Sequence, residues 1–169
     1  MKIHFFISVI LIILIANSCN GDEQCRKNKV VQLNMNLYQV TKSITGDTII
    51  KNPYSIDSLT VKGLRYDSLT AGYILKDSIL YNNSKSVSSI NLPLQKFKTQ
   101  TKFEITFNNL KDTITVSHNN SDQYLSLECG CVKVFKIDSI KTTHHFVDSA
   151  HITNPIVDTS NAQNIIIYK

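Results

Sequence analysis

The chain has no tryptophan, only three prolines and five glycines in 169 residues, and beyond residue 25 just two glutamates, Glu104 and Glu128. Each scarcity closes off a class of function. Seven scattered tyrosines without tryptophan do not suggest a sugar-stacking platform, since strands favour tyrosine in any case. Two isolated glutamates nominate no glycosidase-type carboxylate pair. Repeated aspartates without regular glycines do not suit a calcium repeat, whose loops need glycine for tight bends. Lysine and arginine outnumber the acids, for a net charge of +5. They are scattered, however, and no basic cluster with interleaved aromatics points to nucleic acid. No nucleophile elbow, phosphate loop or HExxH pattern occurs. No catalytic residue, metal or cofactor is therefore expected, and the chain reads as a non-enzyme.

What is present begins at the amino terminus, "MKIHFFISVILIILIANSCN". A single Lys2 precedes an apolar run from Phe5 to Ala16, too short for a bilayer span of about 20 residues. A basic start, a short apolar stretch and small residues before a cut fit a secretory signal. Ile15-Ala16-Asn17-Ser18-Cys19 resembles a bacterial lipobox, in which the Cys becomes the first mature residue and carries lipid. That resemblance implies palmitate on Cys19 and a membrane as partner, each buried methylene contributing about 0.8 kcal/mol. The polar "NGDEQ" that follows suits a tether. Its acidic pair, Asp22-Glu23, resembles signals that send some outer-membrane lipoproteins to the cell surface, and leaves the periplasmic and surface faces both open. The division expected is a signal peptide at 1–18, a lipidated tether at 19–28 and one domain at 29–169, enough chain for a real core.

An exported chain meets an oxidising compartment, so its remaining cysteines are expected to pair. Cys129 and Cys131 are poor partners for each other, because in a strand their α-carbons stand roughly 6.6 Å apart, at the edge of disulfide reach. The expected bond joins Cys25 to Cys129 and leaves Cys131 as a free thiol. Closing a loop of about 100 residues stabilises by roughly 4–5 kcal/mol on the entropy model. Cys129-Gly130-Cys131 is also the best candidate for chemistry, since two thiols flanking a glycine are able to exchange disulfides or hold a metal. It lies in a strand pattern beside Glu128 rather than at a helix N-terminus. His144, His145 and His151 form a small cluster of candidate zinc ligands, but in one strand His145 and His151 lie about 20 Å apart.

Helical periodicity is hard to find after residue 25, and period-two alternation is easy. Val31, Leu33, Met35 and Leu37 share a face, as do Phe103, Ile105 and Phe107, and Ile114 and Val116. That pattern marks half-buried strands. Strands are expected near 29–41, 47–51, 57–63, 72–81, 86–92, 101–107, 112–118 and 123–137, with two weaker ones near 143–152 and 163–168. Turns are expected at Asn108-Asn109 and at His118-Asn119-Asn120-Ser121, and Pro93 and Pro155 at edges or loops. The fold class is an all-β antiparallel sandwich, immunoglobulin-like.

Eight of the ten aspartates precede Ser or Thr. As turn grammar, the aspartate accepts a local backbone hydrogen bond and the next apolar residue opens a strand. The same trios resemble an O-glycosylation sequon of exported bacterial proteins, which would place sugar on Thr48, Ser58, Ser68, Ser78, Thr113, Ser139 or Ser149.

"SLTVKGLRYDSLT" and "YLSLECGCVKVFKID", with Cys25, resemble a family of small uncharacterised envelope lipoproteins with a domain of unknown function. The matching positions are Cys25, Val61, Gly63, Leu64, Asp67, Ser68, Cys129 and Gly130. Arg65 stands where a second glycine is common and Cys131 where an aromatic is usual, which leaves the partner of Cys25 open between Cys129 and Cys131. The resemblance implies an address and a fold but no activity. The role expected is a lipid-anchored structural or interaction module with an envelope protein as partner. A glycan- or small-molecule-binding lipoprotein of an uptake or assembly system is the alternative, and a thiol-redox protein the third reading.

Overall fold

The computed structural model describes residues 29–42, 49–67 and 72–169. The signal, the tether, Cys19, Cys25, Thr48 and Ser68 lie outside the described residues. Among the described residues there is no helix, and so none long and apolar enough to cross a membrane.

The strands are β1 (Leu33–Lys42), β2 (Ile49–Pro53), β3 (Leu59–Asp67), β4 (Gly72–Ser84), β5 (Ser89–Leu92) and β6 (Gln100–Phe107). They continue with β7 (Leu110–Ser126), β8 (Gly130–Thr142), β9 (Ser149–Ile152), β10 (Ile156–Val157) and β11 (Ile165–Tyr168). One sheet runs β2-β1-β11-β9, with β5 also paired to β1; the other runs β10-β8-β7-β6-β3-β4. The molecule is thus an all-β sandwich, as the alternation predicts. It is antiparallel throughout except where β1 and β11 run parallel, Met35 opposite Ile165 through Tyr38 opposite Tyr168. A strand delivered by a crossover from the other sheet can enter in either direction, which alternation alone does not reveal.

Inward positions behave as period two requires. Leu33, Met35, Ile90, Leu92, Ile165 and Ile167 of one sheet face Val61, Phe103, Ile105, Phe107, Ile114 and Val116 of the other, all buried. Each such side chain contributes about 1.5–3 kcal/mol on burial.

Two sequence expectations need correction. No turn exists at 118–121: β7 runs straight through these residues, with His118 opposite Ile137 and Ser121 opposite Val134. The hairpin turns instead at 127–129, closed by Gly130 at φ +66°, a conformation glycine adopts without steric cost. The polar stretch stays in strand because its side chains find partners there. The Asp-Ser/Thr beat is also not uniform. Ile49, Leu59 and Ser149 do sit at strand starts. Asp77, Asp112 and Asp138 lie inside strands, and Asp138 marks a bulge where the β7–β8 register shifts. Asp158 keeps the local form, its Oδ1 accepting from Ser160 N at 2.9 Å.

Candidate functional site

Four polar residues are buried among the described residues: Thr101, Asp112, His118 and Asn164. In a low-dielectric interior each must be hydrogen-bonded or it destabilises the fold, and all are satisfied. Each holds a segment that carries the chain between the sheets. Asn164 Nδ2 donates to the carbonyls of Asn154 and Ile156, at 3.2 and 2.7 Å, on either side of the entry to β10. The other three act through β7 or its neighbour β6.

Asp112 holds the crossover from β8 to β9. Its Oδ1 accepts from the Thr143 hydroxyl at 2.7 Å and the His145 N–H at 2.8 Å. Its Oδ2 accepts from the N–H groups of Phe146 and Val147, at 2.8 and 2.9 Å. Burial pushes this carboxyl up, but the bonds from His145, Thr143, Val147 and Phe146 outweigh it and hold the pKa at about 2. The crossover wraps the carboxylate, with His144 at φ 58°. Phe146 is thereby seated flat on Phe107, ring centroids 4.4 Å apart.

Midway along β7, His118 and Asn120 hold the crossover from β5 to β6, residues 93–99. Asn120 Nδ2 donates to the carbonyls of Lys96 and Lys98, at 3.0 and 2.8 Å. Its Oδ1 is therefore the acceptor facing His118 Nδ1 at 2.7 Å, and Nδ1 carries the proton. Nε2 is then a lone pair and accepts the Thr101 hydroxyl at 2.8 Å. That hydroxyl in turn accepts from Gln95 N–H at 2.9 Å. A neutral imidazole protonated on Nδ1 satisfies every donor in this chain. Burial lowers the pKa of His118, against smaller upward pushes from Asn120 and Asp138.

The consequence for pH has a definite sign. Above about 6.5 the ring is neutral folded and unfolded. Below 6.5 the unfolded chain takes up the proton first, so stability falls as pH drops through that value toward the lowered folded pKa. The melting temperature is expected to fall between pH 7.5 and 5.5, and the slope over this window to flatten in His118→Gln. An unchanged slope in the variant would assign the effect elsewhere.

Beside the 93–99 crossover lies a cleft of about 440 Å³, lined among the described residues by Arg65, Tyr66, Gln95, Lys98, Thr99 and Gln100. Thr99 is fixed through its carbonyl, which accepts from His118 N at 2.8 Å. Past Ser117, the last β7 residue paired with β6, the β7–β8 hairpin continues to Ser126 opposite Gly130. It displays Tyr124 at 59 % and Leu127 at 95 % exposure.

The sequence-nominated residues are dispersed over this frame. Cys131 is a free, exposed thiol in β8, opposite Tyr124. Cys129 sits in the hairpin turn and is not a free thiol; its N–H donates to Ser126 Oγ at 3.0 Å. The histidines weighed for zinc have separate duties. His144 Nδ1 lies 2.9 Å from Val147 O, His145 Nδ1 lies 3.2 Å from Asp112 Oδ1, and His151 packs edge-on against Tyr168. Of the candidate modification sites, Ser78 is exposed on β4, whereas Ser58, Thr113, Ser139 and Ser149 are half-buried. Ser58 Oγ also donates to Asn83 Oδ1 at 2.6 Å. Gly63 matters for closeness: a β-carbon there would stand 2.9 Å from Ser78 Oγ.

Sequence reasoning missed Asp112 and His118 as clamps. The signal was available: both share the inward phase of Ile114 and Val116. A polar residue in that phase has to be paired in the interior.

Residues 58–169, more than half of the chain, match the model of a family of unknown function, DUF6452. No curated protein and no solved structure matches the chain. The matched span begins just before β3 and takes in the whole six-stranded sheet, both β7-held crossovers and the cleft.

Proposed function

The chain belongs to the DUF6452 family of unknown function, so its role has to be read from its own residues, and we propose a lipid-anchored cell-envelope protein whose sandwich is a non-enzymatic interaction module. Lipid on Cys19 supplies the membrane attachment, and residues 19–28 the tether. A disulfide from Cys25 to Cys129 ties that tether to the β7–β8 hairpin; the free state of Cys131 supports this choice over the alternative pairing. Ser78 is the described Asp-Ser/Thr hydroxyl best placed to take O-linked sugar.

The observation that carries the interaction reading is the hairpin itself. Beyond Ser121 and Val134 it is a two-stranded ribbon, since β6 ends its pairing at Ser117 and β10 pairs only with Phe135 and Lys136. Two-stranded ribbons are marginal by themselves. Large apolar residues displayed at such a tip are the kind of surface that a protein partner covers. A photo-crosslinking residue at position 127, in protein made in its native envelope, is expected to yield a discrete adduct with an envelope protein. Its absence would overturn the interaction reading. Labelled palmitate is expected in the wild type and not in Cys19→Ala, and equal labelling would remove the anchor.

A further inference from the structure

The cleft beside the 93–99 crossover is separate from the hairpin tip, and its chemistry is different. Arg65 and Lys98 line it together, and none of its other described lining residues is acidic. Two cations held in one concave site repel each other, and an anion between them relieves that repulsion. Arginine's planar fork matches a carboxylate in particular. Around the cations stand Gln95, Gln100 and Thr99. Amides and hydroxyls both donate and accept, which suits a ligand rich in hydroxyl groups.

An aromatic ring completes the lining: Tyr66 is 51 % exposed. Exposed ring faces offer apolar surface to the C–H face of a sugar. Composition concealed this site, because its tyrosine is one of seven scattered along the chain. The crossover is also preorganised. Asn120 grips the carbonyls on both sides of Phe97, and the Gln95–Thr101–His118–Asn120 chain of hydrogen bonds closes beneath it. A loop already fixed in place loses little freedom when a ligand arrives.

We propose that this cleft binds a carboxylate-bearing saccharide, a sugar of the uronic-acid class, with Arg65 and Lys98 on the carboxylate and Tyr66 against the ring. The assignment specifies a ligand class and does not depend on a protein partner at the hairpin tip, so crosslinking at position 127 and sugar binding fail independently.

The test is calorimetric titration of the full chain with a panel of uronic-acid trisaccharides, their uncharged methyl esters, and inorganic phosphate. At least one uronate is expected to bind, with its methyl ester weaker by about tenfold, as loss of a charge-assisted contact implies. Arg65→Gln and Lys98→Gln are each expected to weaken the uronate by about tenfold, and Tyr66→Ala by about fivefold. All three positions are exposed, so the melting temperature serves as a check that the variants fold. Lys85→Gln, exposed beyond the opposite end of β3, removes the same charge and is expected to change nothing. Failure of every uronate to bind would overturn the proposal. So would equal binding of the esters, binding of phosphate as tight as the sugar, or a loss in Lys85→Gln equal to that in Arg65→Gln.

Discussion

Asp112→Asn is expected to destabilise the domain by about 3 kcal/mol, read as a shift in the urea midpoint at constant slope. The isosteric amide keeps one oxygen for Thr143 and His145. The other becomes an NH2 group aimed at the N–H groups of Phe146 and Val147, which lie 2.8 and 2.9 Å away. Two buried donors then face a third donor, and each unmet group costs about 1–3 kcal/mol. The same carboxylate makes acid stability predictable. Its pKa stands at about 2 against an ordinary 3.8. Above 3.8 it is ionised in both states and its full contribution is present. Between 3.8 and 2 the unfolded chain binds the proton first, so stability falls with pH, by about 2 kcal/mol in all. Asp112→Asn is expected to lose that component of the acid limb. A variant as stable as wild type at pH 7 would show that the β8–β9 crossover is held by its apolar packing alone.

The sandwich was legible because alternation at Leu33-Met35-Leu37 and Phe103-Ile105-Phe107 is a direct image of burial in a two-layer sheet. What alternation could not convey is which inward positions are polar by design. Composition alone predicts a turn at Asn119 and Asn120, since asparagine favours turns when its side chain has only its own backbone to bond. Here Asn119 Nδ2 instead finds Asp138 at 2.8 Å, and Asn120 finds two carbonyls of the neighbouring crossover. These are tertiary partners that no local rule supplies. The aspartate beat failed in the same way at Asp112, whose donors lie more than thirty residues downstream. It held at Asp158, whose donor is two residues away. The cleft was invisible for a related reason: Arg65 and Tyr66 end one strand, Gln95 and Lys98 belong to a crossover, and only the β3–β6 register brings them together. Arg65 supplies, in the fold, one of the two charges of that cleft.

β7 therefore does more than fill the middle of a sheet. It fixes one inter-sheet crossover near its start and another from its middle, and at the Asp112 end the clamp also seats an aromatic stack in the core. Phe107→Ala is expected to cost about 3–5 kcal/mol, the transfer term plus the cavity left behind. Phe107 is fully buried, and its ring lies 4.4 Å from that of Phe146 at 17°. Phe146 cannot easily collapse into the space, because its own N–H is held by Asp112 and its outer face carries Lys169 Nζ, 4.5 Å from the ring centroid. Once Asp112→Asn releases the crossover, Phe146 is free to follow the missing ring, and the second substitution costs less than it does alone. The double variant is accordingly expected to fall short of the sum of the single losses by about 1 kcal/mol, the coupling typical of residues that share a partner. Additive losses, measured by urea unfolding of all four proteins, would mean that the carboxylate clamp and the aromatic stack are independent supports of the same crossover.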